Sequence, residues 1–495
     1  MNQKIMTQIC DKTMSGDFTA EISMPDYEPE VRRLLRASVT LTPPIGFCDT
    51  NRVGMNGEII YDILYAGNDG ALYSTRTRET YELSEAFKPS EKAISDMTLL
   101  CEAAPESLIS RATAPRKISL RCKVRGKIKA IGEQEISERS TYIENPDSIK
   151  RLTEECEYTY IFPSAICEAR ISDDFPAELP SGISGDIRII SYTATAVSEA
   201  IEPARDEAVV KGTLYLNALA AVDEDGSAPF RLARKISFAE VVDIDGLDPS
   251  CRCTATVCCT DCEFTVEENN ISCEPSITIK LDAEQDRRSE YTKDMFSTKF
   301  ASDSTLKRYE FPVSEKLFSG NFTVSLHEPA SDLGFDENSN IIDVTANASV
   351  KNIESSNNKR ILSGEAALNV LAEEKDELGV KEIRIPFKYE IDGSDEPQLF
   401  TECSVVAIEP RVKLDNGKLS CDCELHASGR TYIKSGFEAL DEVIFGDALK
   451  TEDVITVCFP SPTDSVWDIA KRYHVSPETI STNNPNTKSG DALIF

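Results

Sequence analysis

Histidine and tryptophan are scarce in this chain of 495 residues, which has three histidines and one tryptophan. The histidines are far apart in the sequence, at His327, His426 and His474, and none accompanies a recognisable nucleophile motif. The sequence also lacks a Gly-x-Ser-x-Gly elbow, a Walker-type phosphate loop and a His-Glu-x-x-His metal motif. These absences exclude the common imidazole-based and phosphate-binding active sites. We therefore expect a protein that is not an enzyme, with no catalytic residue, no metal and no cofactor.

Positive charge is also in short supply, since 53 Lys and Arg face 85 Asp and Glu and give a formal net charge of -32. A phosphate backbone repels such a surface, so nucleic acid is excluded as a partner, as is direct adsorption to an anionic membrane. No run of about 18 apolar residues occurs. Residues 1–17 contain no apolar core of the kind that a secretory signal needs. We expect no membrane insertion and a protein that stays in the compartment where it is made.

A repeated segment dominates what the sequence does contain, and its three copies begin at Gly57, Gly212 and Gly364. In each copy an alternating apolar run follows the glycine and ends in an acidic turn, at residues 68–70, 223–226 and 373–376. A period-2 run closed by such a turn is typical of a β-hairpin. Further alternating segments flank each copy in the same order.

These repeats predict a mainly β protein built from three tandem antiparallel, sandwich-like modules, because short alternating strands bury one face of a sheet. The modules span residues 1–160, 161–310 and 311–450. Helical signal within them is sparse, and we expect only two short connecting helices, at residues 147–155 and 289–296.

The pattern changes after residue 453, where the chain predicts a small module with the order strand, helix, helix, strand. The apolar residues Val466, Ile469 and Tyr473 have helical spacing, and Thr463 or Asp464 is the expected cap. A second helix is expected to be capped by Ser476 with Pro477 in its first turn, and residues 492–495 supply the closing strand.

Residues 453–495 resemble a LysM module. The resemblance rests on a Pro-x-Asp-Ser-x-Trp-x-Ile-Ala run, an Asn-Pro pair and a closing Gly-x-x-Leu. It implies a binding groove between two loops, and the candidate partner- or glycan-binding residues are Pro462, Thr463, Asp464, Ser465, Trp467, Asn484, Pro485 and Asn486. Thr463 stands where the family has glycine, and a β-branched residue disfavours the positive φ that glycine allows. This departure argues against glycan binding.

The three repeats resemble the SPOCS module of endospore-forming bacteria, through the glycine-led run, the Lys235-Ile-Ser-Phe-Ala and Arg384-Ile-Pro-Phe segments, and the Asp294-Met-Phe-Ser segment. Repeated SPOCS modules followed by one LysM module resemble the SipL family of sporulation morphogenetic proteins. That resemblance implies a non-enzymatic scaffold in the mother-cell cytoplasm, recruited to the forespore surface and the spore coat. It implies that the LysM module binds the coat basement ATPase (stage IV sporulation protein A) and that other coat proteins are further partners. The alternative is a cell-wall protein that binds peptidoglycan or N-acetylglucosamine.

Cysteine is plentiful for a chain without a visible export signal, with 16 in total. One cluster consists of Cys251, Cys253, Cys258, Cys259, Cys262 and Cys273. Because these residues lie in alternating strands and free cysteine packs as a small hydrophobic residue, we favour a role in the core. Zinc binding through Cys259-x-x-Cys262 and oxidative cross-linking within a coat are the alternatives.

Overall fold

The computed structural model describes residues 4–26, 28–49, 51–87, 97–140, 146–177, 179, 185–222, 229–267, 270–375, 377–393, 399–449, 455–461, 463–485 and 492–495. The fold is mainly β, with several small sheets and two short helices near the C-terminus. Pairing among the described strands is antiparallel, apart from a two-residue parallel contact between residues 139–140 and 442–443. Within the described residues, no helix has the length and apolar character needed to span a membrane.

The strands form three units, each built from two facing sheets, and a small tail. The first unit contains β1 (Lys4–Ser23), β2 (Val31–Leu41), β3 (Ile45–Cys48), β4 (Arg52–Gly67), β5 (Leu72–Ala86), β6 (Met97–Ala114) and β7 (Lys117–Glu135), followed by β8 (Arg139–Ser140). The second contains β9 (Ile149–Ile161), β10 (Ala165–Arg170), β11 (Asp173–Pro176), β12 (Ile187–Pro203), β13 (Glu207–Val222), β14 (Phe230–Asp243), β15 (Arg252–Glu267) and β16 (Asn270–Ser297). The third contains β17 (Phe300–Pro329), β18 (Asn340–Ser356), β19 (Lys359–Glu374), β20 (Glu377–Asp392), β21 (Leu399–Asp415) and β22 (Lys418–Ala448).

The order of strands within the sheets is the same in all three units. One sheet has the last long strand at its centre, so β7, β16 and β22 lie between an early strand and the penultimate one. The other sheet has β4, β13 or β19 at its centre. Alternating residues of the facing sheets meet in one apolar core per unit, which explains why the strands need only one buried face.

The repeated glycine has a direct packing role, because an aromatic ring on the neighbouring strand covers it. Gly212 pairs with Phe238 and Gly364 pairs with Phe387 across the sheet. A Cβ atom at Gly212 would lie 2.6 Å from the Cζ of Phe238, and one at Gly364 would lie 2.5 Å from the Cζ of Phe387. The glycine and the later Phe of the repeat therefore form one cross-strand pair.

One apolar cluster joins the three units. Each unit contributes to it the residues at the same two positions of the repeat. One position lies seven residues after the repeated glycine, and the other is the extra residue of a β-bulge in the strand beside it. The six residues are Leu64, Leu219, Leu371, Leu35, Ile190 and Ile342. Around this cluster β5 contacts β12, β14 contacts β18 and β20 contacts β2. The units therefore close into a ring with approximate threefold symmetry.

A second junction between the units forms where the central strands run beyond their sandwiches as two-stranded ribbons. Residues 284–297 of β16 pair with β9, and residues 430–448 of β22 pair with the start of β17. Aromatic residues of the ribbons pack together, and the rings of Tyr291 and Phe437 stack with centroids 3.9 Å apart. The predicted helices at residues 147–155 and 289–296 are wrong, because residues 149–155 and 289–296 belong to the β9–β16 ribbon and only residues 147–148 lie in a 3-10 turn. Long-range pairing outweighs their local helix propensity.

The tail contains β23 (Val457–Cys458), α1 (Val466–Tyr473), α2 (Pro477–Asn483) and β24 (Leu493–Ile494), in the predicted order. The two strands pair antiparallel and extend through hydrogen bonds between Thr456 and Phe495. The helices cover one face of this small sheet, and Ile469, Ala470 and Ile480 fill the space between.

Candidate docking site on the C-terminal tail

The start of α1 is fixed by a capping box rather than by the predicted caps. Ser465 accepts a hydrogen bond from the backbone N–H of Asp468, and the Asp468 carboxylate accepts one from the backbone N–H of Ser465 at 2.9 Å. The helix ends at His474, which adopts a left-handed conformation with φ of 55°. The expected cap at Thr463 or Asp464 is therefore wrong by one or two residues. The Ser476 cap and Pro477 in the first turn of α2 are confirmed.

The acidic side chain of the loop before α1 is bound by other residues of the tail. The carboxylate of Asp464 pairs with Arg472 at 3.0 and 3.1 Å and accepts a backbone hydrogen bond from Ser461 at 3.2 Å. The Arg472 guanidinium beside it lowers the pKa of Asp464. Thr463 and Ser465 are exposed, whereas Pro462 lies outside the described residues. This loop thus presents hydroxyl groups, while its charge is already neutralised.

The loop after α2 is tied to the closing strand by Asn484. Its side-chain amide donates to the carbonyl oxygens of Ile480 at 2.8 Å and Ile494 at 2.9 Å, and its oxygen accepts from the backbone N–H of Ile494 at 2.9 Å. Pro485 is exposed, and Asn486 lies outside the described residues. Among the predicted site residues, Asn484 therefore has a structural role.

Trp467 is half-buried, because α1 packs this side chain against the end of β16. The indole N–H donates to the carboxylate of Asp294 at 2.8 Å, and the ring meets Phe296 edge-on with centroids 4.9 Å apart. Lys471, one turn along the helix, donates to the same carboxylate at 2.7 and 2.8 Å. The predicted binding residue Trp467 thus contacts the second unit of its own chain.

The opposite face of the tail carries an exposed apolar surface, which we call the apolar sheet face: Ile455, Val457, Phe459 and Ile494. Ile455 and Phe459 are each 78% exposed, whereas Cys458 between them is 3% exposed. The sequence predicts a strand at residues 455–459, but the predicted site residues include none of these four. The available signal was a strand whose two faces are both apolar, which leaves one face uncovered in a module with a single helical layer.

Residues of all three units line an open pocket of about 1030 Å³, which we call the chamber. Several of the charged side chains in its wall have partners within the chain. Lys280 donates to the carbonyl oxygen of Cys101 at 2.8 Å and lies 3.6 Å from Asp282, and Arg430 lies 2.9 Å from Glu402. This pairing gives the chamber wall a structural role.

The cysteines of the 251–273 cluster pack mainly in the core of the second unit. Cys251, Cys259, Cys262 and Cys273 are buried there, and burial raises the pKa of Cys253 and of Cys258 to about 12. The Cys262 thiol donates a hydrogen bond to the sulfur of Cys273, which raises the pKa of Cys262 and lowers that of Cys273. All 16 cysteines are free thiols, and no group of three or more potential metal ligands occurs within the described part of the chain.

Comparison with known proteins returns nothing on which a family could be assigned. No protein-family model, no curated protein and no solved structure matches the chain.

Proposed function

We propose that this protein is a non-enzymatic scaffold in which three SPOCS-like sandwich modules, at residues 1–160, 161–310 and 311–450, carry a LysM module at residues 453–495 that docks a partner protein. The observation that carries this proposal is the apolar sheet face of the tail. These residues stay exposed in the folded chain, and no other segment that the structure describes covers this surface. A contiguous exposed apolar patch is typical of a protein interaction site.

The clustering of exposed apolar residues supports the same proposal. Six of the thirteen large apolar residues with high exposure in the described chain lie in the tail, which is less than a tenth of its length. Burying such side chains against a partner gains about 25 cal/mol for each Å² of apolar surface removed from water. Among the described parts of the chain, the tail therefore gains the most free energy from burying apolar side chains against a partner.

The identity of the partner follows from the sequence resemblance. In this proposal the tail binds the coat basement ATPase in the mother cell, and the ring of three modules follows it to the forespore surface. The net charge of -32 fits this arrangement, because a strongly acidic protein reaches an anionic membrane surface only through a partner.

The test is a pull-down of the coat ATPase from sporulating cells with the full chain and with the chain lacking residues 453–495. We expect recovery with the full chain alone. Deletion also exposes Phe296, which the tail covers, so a second arm keeps the tail and replaces Phe459 by Asp. Equal recovery in all arms would reject docking through the tail.

Binding to N-acetylglucosamine polymers is the competing function, and the internal partners of Asp464 and Asn484 count against it. Retention of the full chain on insoluble peptidoglycan, competed by chito-oligosaccharides, would replace the protein-docking proposal. We expect no such retention.

A further inference from the structure

The Asp294-Met295-Phe296-Ser297 segment lies at the end of β16, outside the core cluster of its own sandwich, and is one of the segments on which the SPOCS resemblance rests. We propose that this segment is an internal dock for the tail, and that Asp294 and Phe296 are positioning residues that orient the apolar sheet face toward its partner. The positioning claim rests on the proposed function, whereas the dock itself does not.

The dock begins with the carboxylate of Asp294, which is only 18% exposed. The pairing of β16 with β9 shifts register between Thr292 and Asp294, and such a bulge re-aims the side chain that follows it. The carboxylate then accepts one hydrogen bond from Trp467 and two from Lys471. Hydrogen bonds with an ionised partner are stronger and more directional than neutral ones, so they fix the rotation of α1.

Phe296 adds an apolar contact that belongs to the tail core itself. Its side chain is fully buried and shares one cluster with Cys458, Ile469 and Ile480 of the tail. Because β16 inserts this buried ring into the core of the tail, the tail cannot rotate freely against the ribbon, since interiors pack as closely as organic crystals. The tail is therefore part of the body rather than a module on a free linker.

Two further contacts at the edges of the dock restrict the tail. The left-handed conformation of His474 accompanies a contact between its Nδ1 and the carbonyl oxygen of Ser297 at 3.0 Å. Lys150 of the paired strand β9 lies 3.2 Å from Glu478 on α2. Both helices are thus tied to the ribbon, while β23 and β24 lie on the other side of the tail and keep Val457 and Ile494 exposed.

The test uses Trp467, the only tryptophan in the chain, as a fluorescent reporter of the dock. Full-length protein is prepared with Asp294→Ala, with Phe296→Ala, and with Glu290→Ala as the matched control, since Glu290 is an exposed residue of the same strand. Undocking places the indole in water, so we expect a red-shifted emission maximum. We also expect acrylamide quenching to rise about twofold or more in the first two variants, with no change in the control.

A conservative variant separates the two kinds of contact. Asp294→Asn keeps an acceptor for the indole but loses the charge that Lys471 contacts, so it should give an intermediate quenching constant. Added salt should raise the quenching of the wild type toward that of Asp294→Asn, because salt screens a partly exposed ion pair. Circular dichroism and thermal unfolding of each variant show whether the body remains folded.

The same variants are then titrated with the purified coat ATPase. We expect binding to weaken about tenfold in Asp294→Ala and to stay unchanged in Glu290→Ala. Unchanged fluorescence in both Asp294→Ala and Phe296→Ala would overturn the dock. Altered fluorescence with undiminished ATPase binding would overturn the positioning role. Failure of the wild type to bind the ATPase would refute the proposed function instead, and the fluorescence would still decide whether the dock exists.

Discussion

Glu402 is a largely buried acidic residue where the first and third units meet. Its carboxylate contacts Lys129 of the first unit and Arg430 of its own unit, with only 10% of the side chain exposed. Burial raises the pKa of Glu402, but the two cations outweigh it and lower the pKa from its ordinary value of 4.5 to about 2. A carboxylate with a depressed pKa stabilises the fold at neutral pH, and that contribution is lost as the pH falls.

We therefore expect an acid-dependent loss of stability that Glu402→Gln removes. The free energy of unfolding of the wild type should fall between about pH 5 and pH 2, by roughly 3 kcal/mol from this group. Glu402→Gln should be less stable at pH 7, because Lys129 and Arg430 lose their counter-charge, but its curve should be flatter in this pH range. Urea unfolding at pH 7, 4.5 and 3 measures both effects, and parallel curves for the two proteins would contradict the assignment.

Among the secondary-structure elements, the sequence predicts the turns and caps that depend on neighbouring residues. It does not predict pairings between residues far apart in the chain. The hairpin at residues 68–70 and the tail helices follow from turn and cap residues that lie next to each other in the chain. Residues 149–155 and 289–296 become strands because they pair with each other across more than a hundred residues. The contact between Trp467 and Asp294 is missed for the same reason, since no local pattern encodes a partner 173 residues away.

The glycine–aromatic pair of the repeat gives a prediction about these elements. Gly212→Ala should destabilise the protein by about 2–4 kcal/mol, because its Cβ would press on the Phe238 ring and on the carbonyl oxygen of Val197. Gly379→Ala is the matched control, since a Cβ there meets nothing within 4 Å and should change stability by less than about 0.5 kcal/mol. Chemical denaturation measures both, and equal stability of the two variants would contradict the observed strand register.

In the whole molecule, the three units have similar folds but carry different residues at the positions where they contact each other. Arg36, Ser191 and Asp343 occupy equivalent positions beside the central apolar cluster, opposite Leu64, Leu219 and Leu371 on their paired strands. Arg36 and Asp343 form a buried ion pair at 2.7 Å that joins the first unit to the third. The ring is thus closed by a contact that identical repeats would not make.

Breaking this closure should be costly. Asp343→Ala leaves Arg36 buried without its partner, and we expect a loss of about 3–5 kcal/mol in the free energy of unfolding. Glu157→Ala breaks an exposed pair with Arg288 and should cost less than about 1 kcal/mol. The double variant Arg36→Met, Asp343→Leu should recover part of the loss, because it removes the unpaired Arg36 but still takes the carboxylate of Asp343 from Arg231, 4.0 Å away. Equal costs for the buried and the exposed pair would contradict the proposed ring closure.

Docking through the apolar sheet face of the tail is tested most directly by dissociation constants. They are measured for the coat ATPase with the full-length chain and with two substituted forms of it. Phe459→Asp places a charge on the apolar sheet face, and we expect it to weaken binding about tenfold or more. Ile109→Asp alters a residue that is 58% exposed on β6, outside the tail, and should leave the affinity unchanged. Equal affinity of wild type and Phe459→Asp would contradict docking through the tail.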